Sequence, residues 1–222
     1  MKRTLFFILI LSIILFGCMK SQINNLLTTN AHGYKPTTVT VLSTNLEDKD
    51  FAKCLQTELK EDLANLKVIP EDQFRNALFP WFEYRTAPKN AAELSALLSK
   101  TIVRDHIEKL GVEILIYVNG ETIQGQLDGP GFCGGGYGGG GCLGYLSAER
   151  KTHMATTVLN IRDATTLGST DINFHGSVEV PMLIIPIPIP AFTQSAACSE
   201  TAKLISECFE NKEPLKGKYH KN

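Results

Sequence analysis

The fold of this 222-residue chain is decided by two β-branched stretches, Thr37-Thr38-Val39-Thr40-Val41-Leu42-Ser43 and Leu66-Lys67-Val68-Ile69-Pro70. Short runs of this composition, bounded by turn residues, are typical of β-strands. Between them, apolar residues recur at every fourth position (Phe51, Leu55, Leu59 and Leu63), which predicts an amphipathic helix. A helix that connects two successive strands predicts a parallel βαβ crossover.

The rest of the chain continues the alternation of helices and strands. Pro70 opens a short helix that ends near Pro80, and residues 90–109 form the longest helical pattern, which Gly111 ends. Strands are predicted at 112–123, 152–162 and 171–180, the last two as an antiparallel hairpin, and a helix at 195–209 closes the domain. We therefore predict an α/β (α+β) fold: a mixed sheet of about five strands with helices packed on one face.

The chain begins with the features of an export signal. Lys2 and Arg3 precede an apolar run from Leu5 to Phe16, and Leu15-Phe16-Gly17-Cys18 follows at its end. The run of about twelve residues is too short to span a hydrocarbon core of about 30 Å, and its length suits a secretory signal peptide.

The ending at Cys18 resembles the lipobox of bacterial lipoproteins, from which Phe16 departs because a small residue is usual there. The resemblance implies cleavage before Cys18, acylation of this cysteine, and attachment to the membrane through the lipid. Met19, in place of Asp, resembles the pattern that sorts lipoproteins to the periplasmic face of the outer membrane. The alternative is an ordinary cleaved signal peptide, after which Cys18 is available for a disulfide.

The domain organisation follows from these boundaries. We predict a signal peptide at 1–17, a lipidated N-terminus and flexible tether at 18–36, one domain at 37–210, and a polar tail at 211–222. The chain is 43% apolar, as is ordinary for a globular protein. Without Lys2 and Arg3 there remain 20 basic and 23 acidic residues, so no basic stripe indicates binding to nucleic acid.

The order of elements in 37–210 resembles a periplasmic α/β family. Its members include the amino-terminal domain of the Tol-Pal translocation protein, the curli-secretion lipoprotein and the lipoprotein activators of penicillin-binding proteins. The matching pieces are the strand Val39 to Leu42, the helix 50–65 that leads to Pro70, the strand 112–122, the hairpin 152–180 and the final helix. The resemblance implies a protein that binds other envelope proteins and is not an enzyme.

Residues 125–147 form a glycine-rich insertion that departs from this family pattern. It lacks the Lys-Ser/Thr that a phosphate-binding P-loop requires. We expect Cys133 and Cys142 to form a disulfide that closes a flexible loop, because exported proteins meet an oxidising compartment. A loop that contacts a partner or ligand and, less favoured because further ligands are missing, a metal site are the alternatives.

The proline-rich segment Pro181 to Pro190 is the second departure. Its alternating prolines exclude a central strand beyond about Ile185. One interpretation is a buried connector between the last strand and the last helix. The other is an exposed apolar segment that docks a partner, for which the candidate contacts are Met182, Ile184, Ile187 and Ile189.

Other residue groups give weaker indications. Aromatic residues cluster around Pro80, and they are interpreted as a packed loop or as a binding groove with Trp81 as a partner contact. Cys54, Cys198 and Cys208 lie on predicted helices, where a buried thiol or one interhelix disulfide is expected. The histidines show no ligand spacing, and no carboxylate pair or Cys-His arrangement indicates catalysis.

The sequence therefore predicts a non-enzymatic adaptor or assembly factor of the cell envelope, held at the membrane by lipid on Cys18. It predicts an envelope protein as partner, and no metal or cofactor. The alternative is a periplasmic module that binds or senses a small ligand, with the glycine-rich loop closing over the ligand beside Trp81.

Overall fold

The computed structural model describes residues 20–25, 34–126, 128–129, 131–136, 139–183, 185–186 and 192–210. The described strands are β1 (Lys20–Asn25), β2 (Thr38–Ser43), β3 (Lys67–Ile69), β4 (Ile114–Gln124), β5 (Gly131–Gly136), β6 (Gly139–Asn160), β7 (Thr165–Leu183) and β8 (Ile185–Pro186). The helices are α1 (Lys49–Asp62), α2 (Glu71–Ala77), α3 (Ala91–Leu98), α4 (Thr101–Leu110) and α5 (Thr193–Phe209).

The strands form one mixed sheet in the order β1-β7-β6-β4-β2-β3, with β5 beside β6 and β8 beside β7. Strand β2 is parallel to both β3 and β4, with Val39 opposite Val68 and Ile114. The β2–α1–β3 crossover and the mixed α/β class are confirmed.

Chain contacts divide the molecule into two compact units. Of the described residues, the larger unit contains 22–25, 34–121, 153–173 and 194–210, and the smaller one contains 20–21, 122–126, 128–129, 131–136, 139–152, 174–183, 185–186 and 192–193. Because β4, β6 and β7 are long, each contributes residues to both units.

All six residues of β2 are buried, so both faces of this strand belong to the core of the larger unit. Leu42 belongs to an apolar cluster with residues of α2, α3 and α4. Val41 and the α1 residues Phe51, Leu55 and Leu59 are buried as well.

Helix α1 is joined to the last helix by a disulfide. Cys54 of α1 and Cys198 of α5 are bonded, with 6.0 Å between their Cα atoms. In the described helices, the third cysteine, Cys208, is free and buried. The expectation of one interhelix disulfide among these three cysteines is confirmed.

The long helix predicted at 90–109 is in fact two helices, α3 and α4, which meet at Ser99 and Lys100. The Ser99 hydroxyl donates to the carbonyl of Ala96 (2.7 Å), a local bond that competes with continued helix. Asn90 caps α3 by accepting from the Glu93 amide (2.9 Å). Gly111 ends α4 at φ +68°, as expected of a glycine after a helix.

The smaller unit contains the glycine-rich insertion, which is β-structure and not the flexible loop that we expected. Strands β5 and β6 pair antiparallel with glycine opposite glycine at four positions, among them Gly134 and Gly141. Glycine has no side chain that would obstruct an extended backbone, and the ladder of main-chain hydrogen bonds holds it.

Some residues of the flanking segments are also described. Lys20–Asn25, inside the predicted tether, form the strand β1 beside β7. The last strand continues to Leu183, and the short β8 pairs with it through Pro186. The signal peptide, Cys18 and the tail 211–222 lie outside the described residues.

Candidate functional site

The candidate site lies at the carboxyl end of strand β2, where the loops 44–48 and 78–87 begin or end near the same buried polar network. In open α/β sheets this end of the parallel strands is where ligands bind. Both loops belong to the larger unit. We call them together the carboxyl-end loops.

Arg75 of α2 is the centre of the network, and only 4% of it is exposed. Its Nε donates to Glu71 Oε1 (2.8 Å) and its Nη2 donates to the carbonyl of Ser43 (2.6 Å). Its Nη1 donates to the carbonyl of Phe82, and its guanidinium lies 4.1 Å from the centre of the Tyr84 ring. One buried cation thus attaches the loop 78–87 to the end of β2.

Glu71 completes the charge balance of the network. It is 6% exposed and accepts hydrogen bonds from the Ser43 amide (3.1 Å) and the Ser43 hydroxyl (2.7 Å). A buried ion pair is tolerated when its remaining polar atoms also find partners, as the two terminal guanidinium nitrogens do on the carbonyls of Ser43 and Phe82. Because these contacts are all internal, the network serves to position the loops and offers no open charge for a ligand.

The loop 44–48 is positioned by a second buried acid, Asp48. Its carboxylate accepts from the Thr44 hydroxyl (2.5 Å) and from the side-chain amides of Asn45 (3.1 Å) and Asn119 (3.4 Å). The nearby Lys49 and Asp72, which are exposed, form an ion pair at 3.1 Å between the first turns of α1 and α2. The hydrogen bonds of Asp48 therefore hold the loop that contains Leu46.

Two large apolar side chains of the carboxyl-end loops are exposed, among polar neighbours such as Asn45, Glu47 and Arg85. Leu46 is 66% exposed and Phe79 is 66% exposed. Phe82 points the other way: it is buried and packs edge-to-face on Phe74, with ring centres 5.0 Å apart. The sequence interpretation of the aromatic cluster as a packed loop thus holds for Phe82, whereas Phe79 is presented to solvent.

Trp81, the predicted partner contact, occupies an intermediate position. It is half-buried against the apolar cluster of the larger unit, and its ring contacts that of His106, with centres 6.1 Å apart. Ile102, whose carbonyl lies 2.7 Å from His106 Nδ1, is 55% exposed. Leu46 and Phe79, the two most exposed apolar side chains in the carboxyl-end loops, were not singled out as partner contacts from the sequence.

Of the other predicted site residues, the structure describes either the backbone alone or nothing. Strands β5 and β6 place the backbone of Cys133 directly opposite that of Cys142. The backbone of Met182 pairs with that of Pro186. The side chains of these residues, and Cys18, Ile184, Ile187 and Ile189 altogether, lie outside what the structure describes.

A separate groove of about 730 Å³ lies at the start of β4, between α4 and the turn that connects β6 to β7. Glu113 lines it, accepts from the Thr37 amide (2.7 Å) and pairs with Arg162 (3.3 Å). Ala164, also on its wall, has φ +51°, a left-handed conformation that non-glycine residues seldom adopt. Neither Trp81 nor the glycine-rich insertion lines this groove.

Within the described part of the chain, no group of three or more His, Cys, Asp or Glu side chains is arranged to hold a metal ion. The same residues include no helix with the length and hydrophobicity required to cross a membrane.

Comparisons with known proteins identify no family for this chain. No family model and no curated protein matches it. Among solved structures, the lipoprotein GNA1162 from Neisseria meningitidis is 12% identical, with a TM-score of 0.33 over 78% of this chain and 99% of that one. The PelC dodecamer from Paraburkholderia phytofirmans is 8% identical, with a TM-score of 0.28 over 87% and 97%.

Proposed function

We propose that this chain is an envelope protein attached to the periplasmic face of the outer membrane by lipid on Cys18. The observation that carries the proposal is the sequence Leu15-Phe16-Gly17-Cys18 at the end of a short apolar run. The disulfide between Cys54 and Cys198 supports it, because such bonds persist in oxidising compartments such as the periplasm.

We further propose that the protein acts as a non-catalytic adaptor, and that the carboxyl-end loops are its partner-binding surface. Exposed apolar side chains on rigid loops favour binding to another protein, because little conformational freedom is lost on association. Leu46 and Phe79 provide the apolar contact, and Arg75 and Asp48 hold their loops in place. The partner is an envelope protein that offers an apolar patch.

Site-specific photo-crosslinking in growing cells tests the adaptor proposal. A photoreactive phenylalanine at position 79 should give one discrete adduct with an envelope protein. The same group at Ile123, which is 55% exposed but lies on β4, is the matched control and should give none. Phe79→Asp should abolish a partner's co-purification without changing the melting temperature. Equal crosslinking at both positions, or none at position 79, would contradict the proposal.

The second candidate function, a small-ligand-binding module, is favoured by the groove beside Glu113 and Arg162. Its volume of about 730 Å³ lies within the usual range of small-molecule sites. Native mass spectrometry of protein taken from cells tests it. A bound small molecule that is lost when Leu98→Trp fills the groove would favour this function over the adaptor.

A further inference from the structure

Asn119 and Gly120 form the single Asn-Gly dipeptide of the chain. They lie in β4 directly after Val118, the last residue of this strand in register with β2. Asn-Gly dipeptides are prone to spontaneous deamidation, because glycine has no side chain to obstruct the attack of its amide nitrogen on the asparagine side chain. Asn119 is exposed, so water reaches it.

Packing and hydrogen bonding require both residues of this dipeptide. A Cβ atom on Gly120 would overlap the ring of Phe51, so a bulkier residue that slows the reaction does not fit. The side-chain amide of Asn119 donates to the Thr44 hydroxyl (3.1 Å) and to Asp48 Oδ2 (3.4 Å), which a carboxylate in its place could not do. The fold therefore depends on a chemically labile dipeptide.

The loop 44–48 protects the dipeptide while the loop is closed. Deamidation requires the Gly120 amide to lose its proton, and that amide donates to Asp48 Oδ1 (3.4 Å). A carboxylate that accepts this hydrogen bond favours the protonated amide. Because the same acid also holds the side chain of Asn119, the reaction requires local opening of the loop.

We infer that Asn119 is a modification site, which is deamidated to aspartate and isoaspartate when the loop 44–48 opens. The Gly120 nitrogen forms a bond to Cγ of Asn119, and the bond from Cγ to Nδ2 breaks. The proton of the Gly120 amide leaves with Nδ2 as ammonia. Water, the only co-reactant, then opens the cyclic imide at either carbonyl and leaves a carboxylate.

The new carboxylate keeps the loop from closing again. It would lie against Asp48, which is 3% exposed. Two carboxylates that share a buried site repel each other, and neither can donate to the other. The loop also carries Leu46, so the modification would weaken the proposed partner surface. That consequence alone rests on the proposed function.

The rate of deamidation in the full-length protein tests the inference. Peptide mapping by mass spectrometry, after incubation in mildly alkaline buffer, measures aspartate and isoaspartate at position 119. Thr44→Val removes the hydroxyl that bonds to Asn119 and Asp48, and it should raise the rate roughly tenfold, the effect of one or two such hydrogen bonds on an opening equilibrium. Thr57→Val is the matched control and should leave the rate unchanged, because its hydroxyl donates to the Lys53 carbonyl within α1 (3.0 Å).

An internal control and the unfolded chain complete the rate measurement. Asn45 also donates to Asp48 but is followed by Leu46, so it should stay intact. The folded wild-type protein should react more slowly than the same protein in urea. Equal rates in the wild-type protein and Thr44→Val, or in the folded and unfolded wild-type protein, would overturn the inference.

Limited proteolysis tests the effect of the product without any partner. Failure here would therefore leave the adaptor proposal standing, and absence of crosslinking at position 79 would leave this inference standing. A glutamate-specific protease should cleave after the exposed Glu47 when the loop is open. Asn119→Asp should increase this cleavage several-fold over Asn119→Ala, which removes the donor without adding charge. Equal cleavage of the two variants would contradict the claim that the new carboxylate holds the loop open.

Discussion

At the scale of single residues, Arg75 shows how the fold fixes its candidate site. A guanidinium that is 4% exposed is stable only because Glu71 and the carbonyls of Ser43 and Phe82 take up its donors. In this arrangement a single side chain joins α2, the end of β2 and the loop that presents Phe79. Loss of that side chain should therefore affect both stability and the position of the loop.

Arg75→Met should destabilise the protein by roughly 3–5 kcal/mol, because Glu71 would remain buried and charged without its partner. Denaturant unfolding with equal slopes for both proteins is the measurement. Lys49→Met, which removes one partner of an exposed ion pair, is the control and should have no measurable effect. A loss below about 1 kcal/mol for Arg75→Met would show that Arg75 does not hold the network together.

Tyr117 illustrates a polar group without a partner. Its hydroxyl is buried and makes no hydrogen bond among the described residues, and burial raises the pKa of this phenol well above its usual value. Tyr117→Phe should therefore stabilise the protein by roughly 1 kcal/mol, as measured by thermal unfolding. A loss of stability would mean that the hydroxyl has a partner, such as a bound water.

The raised pKa also gives Tyr117 a pH dependence. Above pH 10, the usual pKa of tyrosine, the unfolded chain loses this proton while the folded chain keeps it. The wild-type protein should therefore lose stability as the pH rises above 10, and Tyr117→Phe should lose less.

At the scale of elements, the close approach of α1 to β4 depends on a glycine. A Cβ atom on Gly120 would overlap the ring of Phe51. Gly120→Ala should cost roughly 1–3 kcal/mol in the free energy of unfolding, the range for overpacked cores.

Two further variants identify the cause of this cost. Phe51→Leu in the Gly120→Ala background should recover part of the stability, because the smaller side chain vacates the space. Gly111→Ala, where no atom lies within 4 Å, should cost about 1 kcal/mol through its left-handed φ alone, and Phe51→Leu should not relieve it. Additive effects of Gly120→Ala and Phe51→Leu would contradict the packing explanation.

The disulfide between α1 and α5 should contribute strongly to stability. It closes a loop of 144 residues, and the chain-entropy treatment gives about 4–5 kcal/mol of stabilisation for that length. Replacing Cys54 and Cys198 by serine should lower the free energy of unfolding by up to this amount, whereas Cys208→Ala should change it far less. Peptide mapping without reduction should recover Cys54 joined to Cys198, and finding Cys54 joined to Cys133 or Cys142 would contradict the fold.

The elements also show what the sequence could and could not predict. Strands and helices with clear periodicity, such as β2, α1 and α5, were predicted to within a few residues, because each buries a regular set of side chains. The break between α3 and α4 was not predicted, because the spacing of Leu98 and Ile102 continues the helical pattern across it. Strand β5 and the glycine-rich first half of β6 were not predicted either, because they have few side chains whose pattern could be recognised.

The candidate site was predictable only in part for a similar reason. An aromatic cluster around Pro80 was evident, but which of its members face outward depends on the contacts of Arg75 with residues that are distant in sequence. The pairing of Cys133 with Cys142 stays a prediction. Their backbones lie opposite each other, and such positions bring Cα atoms to about 4.5–5.5 Å, within the range of disulfides.

At the scale of the whole molecule, we propose that lipid on Cys18 holds the domain at the membrane and that the carboxyl-end loops present Leu46 and Phe79 to a partner. The two long strands β6 and β7 contribute residues to both compact units. The proposed location at the membrane depends on the fate of Cys18.

Metabolic labelling with palmitate therefore tests the central claim most directly. The wild-type protein should incorporate the label and fractionate with the outer membrane, because the Cys18 thiol accepts the lipid. Cys18→Ser should carry no label and should be left uncleaved or be released. Equal labelling of the wild-type protein and the variant, or no labelling of either, would contradict the claim that this chain is a lipid-anchored envelope protein.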